Sequence, residues 1–136
     1  MDRNGILVAT LPIAHSAACE ALAGTYPVTF AETVEQASRL IRSRRFQLIV
    51  VTLQFDDSQP FELLPAAKDS GTPIILAKLL VSVLPAGTIA AAFRSARVLG
   101  FDGCIDLQLS ERTSGRDEAI KQFRDLVMSL ALPRKV

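Results

Sequence analysis

Cysteine is scarce in this chain. Only Cys19 and Cys104 occur among 136 residues, far apart and in no CxxC pair. That excludes a disulfide framework and suits a reducing, cytoplasmic setting. Long hydrophobic runs are missing too. The longest apolar stretch, Ile74 to Leu84, is interrupted by Lys78 and Ser82 and stopped by Pro85, short of the ~20 residues a membrane helix needs. The apolar run behind Gly5 soon meets Pro12 and His15, which gives neither a membrane span nor a signal-peptide layout. Neither sign of charge dominates: 15 Lys and Arg stand against 14 Asp and Glu, a formal net charge of +1. Bulk attraction to nucleic acid is therefore not expected. No repeat or low-complexity segment is visible. There is no GxGxxG pattern and no P-loop, so no nucleotide motif either.

The single histidine leaves no catalytic triad to assemble. His15 and Cys19 are one helical turn apart and share a face, but they are two ligands where a structural zinc needs four. The reading is a partly packed pair, with no metal and no cofactor.

What the chain does have is apolar content of 49% against 21% charged residues, the balance of a folded globule. Its length fits a single domain over 1–136. Ile6-Leu7-Val8-Ala9, Leu48-Ile49-Val50-Val51 and Ile74-Ile75-Leu76-Ala77 are continuous apolar runs, as expected of strands buried on both faces of a parallel sheet. Val28-Thr29-Phe30 and Cys104-Ile105 are shorter strand candidates. Between them lie helical stripes: Ala14, Ala17, Ala18, Ala21 and Leu22, ended by Gly24; Val34, Ala37, Leu40 and Ile41, opened by a Thr33/Gln36 capping box; Phe61, Leu63, Leu64 and Ala67. A further stripe of Ile89, Ala92, Phe93, Ala96 and Leu99 is closed by Gly100, and Ile120, Phe123, Val127 and Leu130 form the last, stopped at Pro133. A loop is expected from Gln54 to Pro60.

Strands alternating with helices imply a three-layer α/β sandwich. Five parallel strands suit the flavodoxin-like order 2-1-3-4-5, whose ligands bind at the carboxyl ends of the strands. In this chain that rim carries Thr10, Leu11 and Thr52, with Lys78 one strand further on.

Gln47-Leu48-Ile49-Val50-Val51-Thr52-Leu53, Phe61-Glu62-Leu63-Leu64, Thr72-Pro73-Ile74-Ile75 and Gly100-Phe101-Asp102-Gly103 resemble the D-L-I-L-L-D-L, F-E-L-L, T-P-I-I and G-A-D-G segments of response-regulator receiver domains. The resemblance covers nearly the whole chain. It implies a domain that takes a phosphoryl group on an aspartate ending the third strand. Mg²⁺ would be held there by that aspartate and by acids after the first strand. A Thr or Ser and a Lys on the next two strands would contact the phosphoryl group.

This chain departs from the pattern at each position. Thr52 stands at the acceptor, Thr10-Leu11 at the acidic pair, Lys78 at the Thr/Ser, and Leu107 at the Lys. Cys104 stands at the aromatic that couples phosphorylation to the helix face. Mg²⁺ favours carboxylate oxygens, and a threonine hydroxyl without a base is a poor nucleophile. The expectation is a non-catalytic pseudo-receiver that acts by contact with a protein partner or a second copy of itself. The alternative is a small-ligand or anion sensor in which Lys78, Thr52 and Thr10 hold the anion.

Bland readings stand beside these. Lys78 either snorkels to solvent or pairs with an acid such as Asp56 or Asp57. Those two aspartates read as solvated loop charges. Arg39, Arg42, Arg44 and Arg45 suit a helix C-terminus, with a docking patch for an acidic partner or nucleic acid as the functional option. The resemblance also implies contact through the face of the fourth helix, fifth strand and fifth helix, or through the first and fifth helices. On the fourth and fifth helices Arg94 and Arg97 lie outside one stripe, and Asp117, Lys121 and Asp125 outside the other, a charge set suited to a two-fold contact.

Overall fold

Parallel pairing of the apolar runs sets the architecture. The computed structural model describes residues 2–53, 55–80 and 84–134, and of residues 57 and 58 the backbone only. Gln54 and Ser82, read above as a loop start and a break in an apolar run, lie outside the described residues. The strands are β1 (Ile6–Ala9), β2 (Val28–Ala31), β3 (Leu48–Thr52), β4 (Ile74–Lys78) and β5 (Gly103–Asp106). All pairings are parallel, in the order β2-β1-β3-β4-β5.

Period-two alternation divides the strands between two cores. Leu7, Ala9, Ile49, Val51, Ile74 and Leu76 face one core. It is covered by α2 (Val34–Ser43), α4 (Leu64–Ser70) and α5 (Ala86–Leu99). Ile6, Val8, Leu48, Val50, Ile75 and Ala77 face the other, under α1 (His15–Leu22) and α7 (Arg116–Leu130). The three central strands are buried along their whole length, which is why they read as unbroken apolar runs.

Local chemistry ends the elements where the sequence says it should. The Thr33 hydroxyl accepts from the Gln36 amide at 3.1 Å. The Gln36 side chain reaches back to the Glu32 amide at 2.9 Å, one residue further out than in the standard capping box. Glu35 and Arg39 pair at 2.9 Å on the outer face of α2. Gly100 closes α5 at φ 112°, in the left-handed region that favours glycine. Gly5 opens β1 at φ 79°, and a Cβ there would lie 2.6 Å from the Pro27 carbonyl oxygen.

Three expectations need correction. The segment after β3 is no open loop: α3 (Phe55–Ser58) and a 3-10 turn (Pro60–Leu63) occupy it, because Phe55 turns inward and is completely buried. Leu99 is 56% exposed and leaves the core stripe of α5, which rests mainly on Phe93 and Ala96. Between β5 and the last helix stands α6 (Leu107–Ser114). Its N-cap is Asp106, whose carboxylate accepts from the Leu109 amide at 3.0 Å.

Candidate functional site

The carboxyl ends of β1, β3, β4 and β5 bring Thr10, Thr52, Lys78 and Asp106 to one rim of the sheet. Continuing the alternation sends Thr10 and Thr52 toward the α1 and α7 side. Their hydroxyls meet at 2.8 Å, and both residues are buried. Each hydroxyl thus has the other as its partner, which a buried polar group requires. Lys78 follows the opposite parity, after Ala77, and turns toward α5.

Asp106 is the cross-strand neighbour of Lys78 in the β4–β5 register. The Lys78 ammonium stands 3.6 Å from Asp106 Oδ1, with the two side chains 7% and 12% exposed. The acid that Lys78 finds is therefore Asp106 and not Asp56. Asp56 is turned away. Its carboxylate accepts from the Val34 amide at 2.8 Å and so stabilises the positive start of α2. The side chain of Asp57 lies outside what is described.

Leu107, read above against the receiver lysine, is the first residue of α6 and is buried in the core under α1 and α7. Leu11, read above against the second acid, is 36% exposed and lines the rim. Cys104 is half-buried and its thiol donates to the Phe93 carbonyl at 3.6 Å. Burial pushes that thiol above its ordinary range, partly offset by Arg97, so it is no reactive nucleophile.

The cleft between Thr10, Leu11, Thr52 and Lys78 measures about 40 Å³, room for a few waters and no more. Its donor set does not fit Mg²⁺. The two hydroxyls hold each other, Lys78 is a cation, and the carboxylate of Asp106 is taken by that cation and by the α6 cap. Among the described residues, no three His, Cys, Asp or Glu side chains come together as metal ligands would.

The remaining candidates are scattered. His15 stacks on Phe30 at 4.0 Å between ring centroids, while Cys19 is exposed. Arg42, Arg44 and Arg45 surround a hollow at the amino-terminal edge of the sheet, beside Asp69, and Arg44 lies 4.8 Å over the Phe46 ring. Arg94 and Arg97 are exposed on α5. Asp117, Lys121 and Asp125 are exposed on α7, across the sheet from α5. Lys121 already binds Asp125 within α7 at 2.8 Å.

Comparison with known proteins bears on the scaffold. A receiver domain protein (CheY-like) from Methanospirillum hungatei JF-1 superimposes with a TM-score of 0.63 at 18% identity, covering 94% of this chain and 96% of that one. The receiver domain of the Francisella response regulator 1452 gives 0.62 at 20%, over 93% and 98%. The fold is that of receiver domains. A response regulator from Burkholderia pseudomallei, whose structure holds a phosphorylated aspartic acid, a calcium ion and citrate, gives 0.58 at 18% identity over 93% of this chain and 75% of that one. No protein-family model and no curated protein matches the chain. No helix among the described residues is long and apolar enough to cross a membrane.

Asp106 was the residue that sequence reasoning missed. Two signals could have found it. An aspartate precedes Leu107 and Leu109 in a segment broken by Gly115, a helix-start pattern. A strand-end lysine also demands an acid on a neighbouring strand.

The threonine pair makes a stability prediction. Thr52→Val strands the buried Thr10 hydroxyl and should cost about 1–3 kcal/mol in urea unfolding. The double variant Thr10→Val/Thr52→Val should recover most of that loss, since both polar groups are then gone. A double variant as damaged as the sum of the singles would show that the hydroxyls are not each other's partners.

Proposed function

We propose that this chain is a pseudo-receiver, a receiver-fold interaction module that works without phosphotransfer in signalling or regulation of the bacterial type. The observation that carries this is the Thr10–Thr52 hydrogen bond at 2.8 Å. It fills with two neutral hydroxyls the place where a receiver holds its acceptor carboxylate and metal-binding acids. A labile acyl phosphate needs a carboxylate, and neither threonine has a base beside it. Lys78 and Asp106 add a fixed ion pair in place of a phosphoryl-responsive one. With no acid, base and nucleophile set converging, the chain is read as no enzyme.

Incubation with acetyl phosphate and Mg²⁺, followed by intact-mass measurement, should leave the mass unchanged. A stoichiometric phosphoryl adduct would overturn the proposal.

The contact face is assigned to α5, where Arg94 and Arg97 flank Val98 and Leu99, 86% and 56% exposed. A second copy is the simplest partner. Arg97 or Arg94 of one chain would meet Asp117 or Asp125 of the other around the β5 edge. Each such rim pair adds about 0.2–1 kcal/mol, so the exposed apolar residues must supply most of the affinity. Asp125 must also leave or share Lys121, which makes Asp117 the better acceptor. Sedimentation should show a concentration-dependent dimer that Arg97→Glu weakens. A wild type that stays monomeric at high micromolar concentration removes the self-contact, and a dimer indifferent to the reversal moves it to another face.

The anion-sensor alternative finds less support at the rim. By strand parity Lys78 turns to the face opposite the two threonine hydroxyls, and the cleft beside the threonines is small.

A further inference from the structure

The opposite side of Lys78 offers far more room. Between α5, the end of β5 and α6 lies a groove of about 570 Å³, within the ~300–1,000 Å³ of small-molecule sites. Ile89 and Phe93 of α5 and Leu109 of α6 give it apolar walls. Leu109 is 51% exposed there. Lys78 and Asp106 stand at its inner end and Arg112 on its α6 edge. The groove's formal charge is thus +1.

The two cations differ in setting. Lys78 is more than nine-tenths buried, and Asp106 is its only ion-pair partner among the described residues, at 3.6 Å. That is longer than a hydrogen bond, and the ammonium has three donors to satisfy. The same Asp106 oxygen is already accepting from the Leu109 amide. Arg112 is exposed and makes no ion pair among the described residues. A nearly buried cation held by its carboxylate at only 3.6 Å and a guanidinium with no ion pair among the described residues, both lining one apolar groove, are complementary to a body without charge and a single anionic head. Two anionic groups would exceed the groove's net charge, and a cationic head would meet both Lys78 and Arg112.

We infer that the α5–β5–α6 groove binds a small amphipathic monoanion, an aliphatic or arylaliphatic carboxylate, with its apolar body against Ile89, Phe93 and Leu109 and its carboxylate between Lys78 and Arg112. The inference moves ligand binding from the threonine rim to the far side of Lys78. It does not depend on the absence of phosphotransfer, nor on self-association.

Octanoate is the probe, with octanol and octyltrimethylammonium of equal chain length as controls. Amide-resolved NMR titration should give saturable shifts at Ile89, Phe93, Leu109 and Lys78, with a Kd of about 1 mM or tighter. Octanol should bind at least fivefold more weakly, and octyltrimethylammonium should not saturate. Arg112→Gln changes an exposed residue and so leaves the fold intact, and it should weaken octanoate at least fivefold while leaving octanol unchanged. Lys78→Met should weaken it further. If that variant does not fold, the Arg112 comparison still decides. Equal affinity for the three probes, or unchanged octanoate binding to Arg112→Gln, would overturn the inference. So would shifts confined to Thr10 and Thr52, or a groove covered by a second copy that octanoate neither enters nor displaces.

Discussion

A lysine that ends a buried strand needs a counter-charge, and in this fold the neighbouring strand supplies it. Lys78 and Asp106 are register partners on β4 and β5, and several features hang on their meeting. The carboxylate that neutralises Lys78 also caps α6. The fifth strand therefore runs directly into a helix instead of an open loop. That helix closes one wall of the large groove and buries Leu107 against the core under α1 and α7. Removing either partner would leave a nearly buried charge alone, which costs far more than the pair contributes when intact. Asp106 is the costlier loss, because the α6 cap goes with it.

The rim follows the opposite logic. Thr10 and Thr52 are neutral, and they satisfy one another across the β1–β3 pairing. In a receiver domain this edge is where charge is gathered, and gathered charge is what makes it responsive to a metal and to a phosphoryl group. A hydroxyl pair has no such response. Charge stands instead on the α5 side of the sheet, where Lys78 faces Asp106. The strand ends thus hold one hydroxyl pair and one ion pair, and both cores remain continuous up to the strand ends.

The parts of this arrangement that could be read from residues alone are those governed by local rules. The three central strands were legible because burial on both faces leaves no polar alternation. The start of α2 was legible in Thr33 and Gln36, and the end of α5 in Gly100. Thr10 and Thr52 could be placed together because equal offsets from two apolar runs put them at the same level of a parallel sheet. What was not legible depends on contacts distant in sequence. Phe55 turns an expected loop into helical turns by burying itself, and Asp56 is drawn off to cap α2. Lys78 was placed on the rim, yet which face it turns to, and which acid it meets, depend on the β4–β5 register. Asp106 carries no motif of its own and becomes significant only opposite that lysine.

The central claim is that the strand-end rim has lost its response to a phosphoryl group. The most direct test is the amide spectrum of the chain on adding magnesium and then beryllofluoride, a phosphoryl mimic that attaches to an acceptor carboxylate. The account predicts that the amides of Thr10, Thr52, Lys78 and α5 hold their positions through both additions. Saturable shifts at Thr52 and Lys78 that spread into α5 would show a working phosphoryl site and contradict it.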